Sequence, residues 1–398
     1  MDMDVDKEWK PVEMLGEVAT GDAPDPSCAY ARLLAQSTVA WYDHGIAGRT
    51  WGIFGRDAVA RLAMDTATLS NVIVPPGTPR ILPLMADPPE HGGYRRLLNS
   101  FFSPSAIKAA EAEARPIAIE MIDRMIDAGQ ADFGSDYAYV FSMRVLCRFL
   151  RVKDDWQIYN DWSSEMERLT GAGTAQPGDA LPAEHMGKVI PYIQQLVADR
   201  RADPGEDVVS GIILGEVEGE ALRDDQIVGL IIALILAGRS TTASGIGNLV
   251  LRLAKDPQLQ QFLRENPSRI KDAVEESLRL ESPQQEMPRK ARRDFEVDGH
   301  QIKAGESVFL NWGSANVDPA SWDRPSEFDI DRKTWPHLAF GRGPHQCFGA
   351  PLGRMEMRVT VEELLARTRS FSLAGEVTRN VWPRLSVETL PLRLVASG

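Results

Sequence analysis

Hydrophobic positions along this chain repeat mostly with the spacing of amphipathic helices. The longest such pattern runs from Asp224 to Ala254, and because its centre is apolar on all sides, we expect this helix to be buried. Helices are predicted over about 103–128, 136–150, 154–170, 183–202 and 224–254. The pattern therefore predicts a mainly α fold.

Alternation of apolar and polar residues is confined to a few short stretches, which predict strands. Residues 39–42 and 50–54 flank a turn that contains glycine, and they predict a hairpin. A second pair of strands is predicted within residues 295–310, with a turn at Asp298-Gly299. The β structure is expected to form a small part of the molecule.

Composition indicates one large core. Of the 398 residues, 43% are hydrophobic, and no Pro/Gly/Ser-rich linker or internal repeat divides the chain. Two stretches are predicted to be loops: residues 69–84, which hold four prolines, and the Gly- and Pro-containing residues 171–182, which we expect to be mobile. We therefore predict a single domain over residues 1–398.

Charge and cysteine content exclude several classes of protein. Lys and Arg number 44 against 57 Asp and Glu, and the net charge of −13 argues against nucleic acid as a general partner. Cys28, Cys147 and Cys347 are odd in number and far apart, so they do not form a disulfide framework. The acidic first ten residues lack an apolar run, and the longest apolar run, 227–238, is too short to span a bilayer. We expect a cytoplasmic protein without a membrane anchor.

The most specific chemical signal is a glycine-rich loop at residues 340–349, which holds Cys347 and precedes an amphipathic helix pattern. Unpaired N–H groups and the positive end of a helix dipole favour a thiolate. Gly341, Gly343 and Gly349 are expected to permit positive φ and a close approach of the backbone to whatever the sulfur binds. One thiolate does not suit zinc or an iron–sulfur cluster, but it suits a haem iron, whose porphyrin supplies the other bonds. The alternative is a small buried cysteine in a tight turn.

Other polar groupings have two interpretations each. His91 and Arg95, spaced i, i+4, share a helix face that would either bind an anion or remain a solvated surface pair. Gly238, in the middle of the longest helix, costs about 1 kcal/mol relative to alanine. It is either tolerated there or lets a flat ligand or dioxygen lie against the backbone. Thr241 is expected to bond the carbonyl of Ala237 and loosen the helix.

Written Phe-Gly-x-Gly-x-His-x-Cys-x-Gly, residues 340–349 resemble the haem-binding loop of the cytochrome P450 superfamily, in its soluble bacterial form. The resemblance extends from about residue 23 to residue 394. It implies a triangular, mainly α fold with a small β-rich part formed by about 37–55 and 289–311. It also implies a haem b cofactor with Cys347 as the axial ligand of the iron.

The resemblance assigns further residues to the cofactor and to the fold. Asp-Pro-Pro-x-His-x-x-x-Arg at 87–95 is similar to the element whose histidine and arginine bind haem propionate. Glu276 and Arg279, which would otherwise be an exposed ion pair, resemble the family's buried Glu-x-x-Arg pair, with Arg332 as its third member. The residues implied to hold the haem are His91, Arg95, Ala237, Arg289, Phe340, His345, Cys347 and Gly349.

Residues 237–242 resemble the oxygen-binding helix of the family, which implies catalytic roles for Gly238, Ser240 and Thr241. Ser240 stands where the family usually has an acid, so the usual proton route is in doubt. The substrate contacts implied are Gln284, Gln285 and Leu234. By the same resemblance, the loop at 69–84 lies over the pocket, and the loop at 171–182 joins two helices that cover it.

The expected activity is that of a haem-thiolate monooxygenase. Such an enzyme inserts one atom of dioxygen into a small, largely apolar substrate, here a terpenoid or an aromatic, by hydroxylation or O-demethylation. Because the chain has no flavin or iron–sulfur motif, electrons should come from a ferredoxin and its reductase, docked on a basic face at Arg342, Arg354 and Arg358. We expect a monomer. Ser240 motivates a peroxide-driven or non-oxygenating haem enzyme as an alternative, and a haem-binding sensor without turnover is the third hypothesis.

Overall fold

The computed structural model describes residues 27–43, 49–75, 80–152, 156–170, 183–333, 336–381 and 383–397. Most of these residues are helical, as predicted. The helices are α1 (Ser27–Leu34), α2 (Arg56–Leu62), α3 (Glu90–Asn99), α4 (Pro104–Ala128), α5 (Tyr139–Leu150), α6 (Trp156–Thr170), α7 (Ala183–Ala202), α8 (Val208–Ile213), α9 (Asp224–Lys255), α10 (Pro257–Glu265), α11 (Ile270–Leu280), α12 (Trp312–Ala315) and α13 (Ala350–Arg367).

The five predicted helices correspond to α4, α5, α6, α7 and α9, and the local chemistry explains their ends. In α4, the Ser103 hydroxyl accepts a hydrogen bond from the Ala106 N–H, Pro104 occupies the first turn, and Gly129 ends the helix with φ of 71°. A π-helical turn at Gly134–Ala138 leads into α5. The predicted mobile loop at 171–182 and the acidic N-terminus lie outside the described residues.

α9 is the central helix of the structure, and its burial follows from its apolar pattern. It packs closely on α5, because a side-chain carbon on Gly238 would lie 3.0 Å from both methyl carbons of Leu146. It packs as closely on α13, where the same construction on Gly245 meets the Met357 sulfur at 3.0 Å. By length and composition α9 could cross a bilayer, a test that buried core helices also pass, and these contacts are those of a core helix.

In the described part of the chain the β structure is small and lies in several sheets, the largest with five strands in the order β1-β2-β10-β7-β3. The strands are β1 (Val39–Asp43), β2 (Arg49–Ile53), β3 (Leu69–Ser70), β4 (Gln130–Asp132), β5 (Glu216–Val217), β6 (Glu220–Ala221), β7 (Glu286–Ala291), β8 (Phe295–Val297), β9 (His300–Ile302), β10 (Ser307–Asn311), β11 (Thr368–Leu373), β12 (Thr378–Asn380), β13 (Ser386–Thr389) and β14 (Pro391–Ala396).

Both predicted hairpins are present, with one correction. β1 and β2 pair with Val39 opposite Ile53. β8 and β9 pair around Asp298 and Gly299, whose φ values are 46° and 81°. The stretch 295–310 nevertheless contains three strands instead of two, because Gly305, with φ of 85°, makes a second turn. β10 thereby leaves the hairpin and joins the large sheet between β2 and β7.

A buried ion cluster ties α11 to the irregular segment before the cysteine loop. Glu276 and Arg279 are fully buried and lie 2.9 Å apart, and the Arg332 Nε lies 2.9 Å from the same carboxylate. Glu276 also accepts the N–H of Asp329 at 3.0 Å, and Arg279 donates to the carbonyl of Asn316 at 2.8 Å. The three side chains therefore form a buried cluster, and their structural role remains a prediction.

We expect Glu276→Ala to lower the free energy of unfolding by about 3–5 kcal/mol, because the change leaves two arginine charges without their carboxylate. Chemical denaturation of the two proteins measures the difference. Arg124→Ala is the control, since it breaks an ion pair with Glu120 in which the arginine side chain is 75% exposed, and it should cost less than about 1 kcal/mol. Equal losses in the two variants would contradict a structural role for the cluster.

Candidate active site

A cavity lies between α9, α13 and the loop at residues 340–349. Its wall is largely apolar. Residues from widely separated parts of the chain form this wall, among them Leu82, Phe102, Phe149, Leu230, Met287 and Trp312. The cavity also contains most of the polar residues that the sequence singled out.

Cys347 faces this cavity from a tightly folded loop. Its N–H donates to the Phe340 carbonyl at 2.8 Å, which closes the loop on itself. Gly341 and Gly343 have φ of 69° and 81°, as expected. A side-chain carbon on Gly343 would also lie 2.6 Å from the carbonyl oxygen of Ala63, so only glycine fits there.

Gly349 departs from the expected conformation. Its φ is −76°, because it is the residue from which α13 begins, so the positive φ that glycine permits is used at Gly341 and Gly343 but not here. The helix start matters for the sulfur. Burial raises the pKa of the Cys347 thiol, whereas the N–H groups of Gly349 and Ala350 and the charges of Arg95 and Arg354 act in the opposite direction. The loop thus offers one sulfur ligand whose negative charge is supported by nearby donors once a metal cation replaces the proton.

Nitrogen groups line another part of the cavity. The rings of His91 and His345 have centroids 3.8 Å apart, and Arg95 and Arg289 line the same cavity. Burial lowers the pKa of His91 to about 4 and that of His345 to about 3, and the Arg95 charge acts in the same direction on both. Both histidines are therefore neutral at pH 7. Burial also lowers the pKa of Arg289, to about 10.

Two of these groups lack the hydrogen-bond or ion-pair partners that buried polar groups usually have. His345 Nε2 is buried without a hydrogen bond among the described residues. Within the same part of the chain Arg289 has no ion-pair partner, and it donates only to the neighbouring Pro288 carbonyl, at 2.7 Å. An unsatisfied nitrogen and an unpaired buried cation are costly, and an anionic group would remove both costs. The residues therefore fit a flat cofactor held through its metal by Cys347 and through its acidic groups by the nitrogens.

α9 forms one wall of the cavity through Ala237, Gly238 and Thr241. The Thr241 hydroxyl donates to the Ala237 carbonyl at 2.8 Å, as expected, and its lone pairs remain available to accept a hydrogen bond. Gly238 has a packing reason that the sequence did not reveal, which is the close approach of Leu146. Ser240 is buried and does not line the cavity. This position contradicts the expectation that Ser240 acts directly in the site.

The two expected substrate glutamines lie on opposite sides of their segment. Leu234 and Gln284 line the cavity, and the Gln284 amide donates to the Glu286 carbonyl at 2.9 Å. Gln285 is buried elsewhere and accepts a hydrogen bond from the Tyr30 hydroxyl. Successive residues of extended backbone face opposite ways, so the prediction of Gln285 as a substrate contact was wrong.

Sequence reasoning missed much of the cavity wall. Phe102, Phe149 and Met287 are marked as apolar by their patterns, but no pattern says that they meet at one cavity. Leu82 and Asn71 belong to the loop at 69–84, which was expected over the pocket and does line the cavity, although neither residue was named as a contact. Asn71 follows β3 directly, and its amide donates to a backbone carbonyl of the adjacent loop at 3.4 Å. The signal that could have found Asn71 is that it is a polar residue in the loop expected over the pocket.

The expected basic docking face is contradicted at two of its three positions. Arg354 donates twice to Glu275, at 2.5 and 2.9 Å, and its guanidinium lies 4.3 Å from the centre of the Phe340 ring. Arg358 pairs with Glu362 at 2.9 Å. The partner carboxylates offset both charges. Arg354 instead braces the aromatic residue that opens the cysteine loop.

Comparisons with known proteins agree on one family. The family model described as "Cytochrome P450" matches residues 182–384. Erythromycin C-12 hydroxylase of Saccharopolyspora erythraea is 34% identical over 330 residues, covering 80% of this chain and 81% of that protein. Cytochrome P450-terp of a Pseudomonas species is 31% identical over 312 residues, covering 75% and 73%. The solved structure of CYP108D1 from Novosphingobium aromaticivorans has a TM-score of 0.84 and 30% identity, covering 98% of this chain and 100% of that chain.

We expect Arg289→Met to have opposite effects on the empty and the loaded protein. Removal of an unpaired buried charge should stabilise the cofactor-free protein, whereas loss of a charge-assisted hydrogen bond should speed haem release about tenfold or more. Thermal unfolding of the empty protein and haem transfer to an acceptor protein measure the two effects. Arg292→Met is the control, because Arg292 is exposed and already paired with Asp87 at 2.5 Å. Unchanged haem release in Arg289→Met would contradict the assignment.

Proposed function

The chain belongs to the cytochrome P450 family of haem-thiolate monooxygenases, and on that premise we propose that Cys347 is the ligand of its haem iron and that the cavity oxidises a small, uncharged, largely apolar molecule. Haem b with a thiolate ligand, when bound, supplies the activation of dioxygen from which one oxygen atom enters the substrate. The residues of the protein hold the haem, shape the pocket and move protons.

The observation that carries the proposal is the composition of one cavity. Among the described residues, one sulfur just before α13, the buried Arg289 without an ion-pair partner and the His345 Nε2 without a hydrogen bond line the same space. We assign Cys347 to the iron, and His91, Arg95, Arg289 and His345 to the acidic edge of the cofactor. Phe340, Ala237 and Gly349 would contact its faces.

The substrate class follows from the remaining wall. Leu234 and the apolar side chains listed above leave Asn71 and Gln284 as the uncharged polar groups that we assign to substrate orientation. The charged lining residues are the arginines at the cofactor and Arg342 of the cysteine loop. An apolar cavity that holds few hydrogen-bonding groups favours an uncharged ligand. We propose a terpenoid or aromatic substrate, oxidised by hydroxylation or by loss of an O-methyl group.

Electrons are proposed to come from a separate ferredoxin, which its reductase reduces. Arg342 in the cysteine loop is exposed, and it remains the candidate contact after the reassignment of Arg354 and Arg358. The proposal places the protein in the cytoplasm as a monomer that meets these partners in solution.

The Thr241 hydroxyl is proposed to form a hydrogen bond with dioxygen or with a water molecule in the cavity. Its hydroxyl lies at the cavity wall and bonds the Ala237 carbonyl, so the side chain is oriented before any ligand arrives. A hydroxyl in this position donates and accepts at once and therefore passes a proton along. Ser240 replaces the family's usual acid and does not line the cavity. This favours a second candidate function, in which hydrogen peroxide replaces dioxygen and the electrons, because that reaction needs no acid at the cavity wall.

The test compares oxidants on the haem-loaded protein, with substrates found by a spectral screen of terpenoids and para-substituted aromatics. Dioxygen with a surrogate ferredoxin should give product, and Thr241→Ala should divert electrons to free hydrogen peroxide, while Thr241→Ser, which keeps the hydroxyl, should not. Product with peroxide alone would favour the peroxide-driven enzyme. Ligand binding without product under either condition would favour the sensor and contradict the proposed function.

A further inference from the structure

The hydrogen-bonding groups of the cavity are sorted by kind, and this sorting bears on the substrate, so the inference below rests on the proposed function. Donors gather at the cysteine loop. Burial lowers the pKa of His345 most, and the charges of Arg289 and Arg95 lower it further, which places both arginines near it. Trp312 belongs to the same side, because a side-chain carbon on Gly341 would lie 3.8 Å from its Cζ2, the atom next to the indole N–H group. These donors face the place that we assign to the acidic edge of the cofactor.

Gln284 offers the cavity a different kind of group. Its side-chain nitrogen donates to the Glu286 carbonyl at 2.9 Å. A carbonyl only accepts hydrogen bonds, so the chemistry itself fixes which end of the amide is the nitrogen. The second N–H group belongs to the same nitrogen, at the end of the amide that faces the backbone. No described residue donates to Oε1, and this oxygen is therefore the end that is left for a ligand.

Asn71 repeats this arrangement from another part of the wall. The residue is buried, and its backbone N–H group donates to the Asp87 carboxylate at 2.9 Å, which fixes the chain there. The side-chain nitrogen donates to the Leu84 carbonyl at 3.4 Å, and no described residue donates to the side-chain oxygen. An acidic group of the cofactor is not a partner for this oxygen, because both are acceptors. The Asn71 oxygen is thus a second acceptor that a ligand can use.

The two threonines of the lining do not change this pattern. The proton of the Thr241 hydroxyl is committed to the Ala237 carbonyl, at 2.8 Å, so its lone pairs are what remains. The Thr242 hydroxyl lies 3.6 Å from the position of a side-chain carbon on Gly353 of α13, the helix that follows the cysteine loop. Away from that loop, the uncharged polar side chains of the lining therefore present acceptors.

A group that satisfies these acceptors must bring a hydrogen-bond donor, and the charges of the cavity decide which donor. Arg95, Arg289 and Arg342 line the cavity, and among the described lining residues there is no Asp or Glu. A protonated amine would find no counter-ion there, and burial of an unpaired cation is costly. A hydroxyl group donates a hydrogen bond without carrying charge at neutral pH. It is the donor that fits both conditions.

We propose that the substrate is an alcohol or a phenol, whose hydroxyl group donates a hydrogen bond to the Gln284 amide oxygen, with the Asn71 oxygen as a second acceptor. A ketone or ether oxygen in the same place would face another acceptor, and both oxygens would lose their hydrogen bonds on burial. A site built to bond a hydroxyl group rejects the analogue without it more strongly than an apolar wall rejects an extra methylene. The carbon that is oxidised then lies elsewhere in a terpenoid or aromatic body that already carries a hydroxyl group.

Matched pairs of ligands test this class on the haem-loaded protein. Menthol and menthone share one carbon skeleton and differ in having a hydroxyl or a carbonyl group. The second pair, para-isopropylphenol and para-isopropylanisole, differs by methylation of the oxygen. Calorimetric titration should give a Kd about tenfold or more lower for the hydroxyl member of each pair. The anisole has the larger apolar surface, so burial of apolar area alone predicts the opposite order for that pair.

Three variants then locate the acceptor. Gln284→Met and Asn71→Leu each remove an amide oxygen and keep a side chain of similar size. Met287→Leu is the matched control, because it changes the apolar wall and removes no amide oxygen. Gln284→Met should bring the two Kd values of each pair to within about threefold of one another, whereas Met287→Leu should keep the wild-type ratio. Each ratio is taken within one protein, so a general disturbance of the pocket affects both of its members.

The outcomes separate this inference from the proposed function. Equal affinities within both pairs in the wild type, as expected if a water molecule bridges two acceptors, would overturn the inference and leave the proposed function in place. A preference for the hydroxyl member that survives Gln284→Met would overturn the assignment of Gln284, and its loss in Asn71→Leu alone would move the contact to Asn71. A wild type that binds none of the four compounds would refute the apolar site of the proposed function, and this inference with it.

Discussion

A cysteine sulfur that faces a cavity from the start of a helix is the constraint on which the rest of the structure depends. Burial disfavours the charge on the Cys347 sulfur, and the backbone must compensate by delivering N–H groups from the start of α13. That requirement fixes where the helix begins, and it explains the helical φ of Gly349. The tight turn at Gly341 and Gly343 then brings the loop against α2. The pair of Arg354 and Glu275 braces the loop from the side of α11.

The central helix α9 serves the same cavity from the other wall. Its closeness to α5 and α13 depends on Gly238 and Gly245, two positions without side chains. The packing of α9 and the form of the cavity are therefore linked. Gly238 allows the contact with Leu146, and it also lines the cavity beside Thr241.

The sequence predicted those parts of the site whose members have fixed spacing. The cysteine loop, the His91–Arg95 pair and the Glu276–Arg279 pair are local patterns, and their side chains lie where the patterns placed them. Features that depend on contacts between distant segments were not predictable in this way. Gln285 faces Tyr30 because of the register of its segment. Arg354 and Arg358 lost their predicted role because their carboxylate partners lie on other elements or a turn away. The apolar wall was visible only as buried positions without a shared location.

The central claim is that Cys347, and no other cysteine, binds the haem iron. The most direct measurement is the absorption spectrum of the reduced, carbon monoxide-bound protein for the wild type, Cys347→Ala and Cys147→Ala. The account predicts the red-shifted band of a thiolate-ligated haem in the wild type and in Cys147→Ala, and its loss in Cys347→Ala. Persistence of that band in Cys347→Ala would contradict the account.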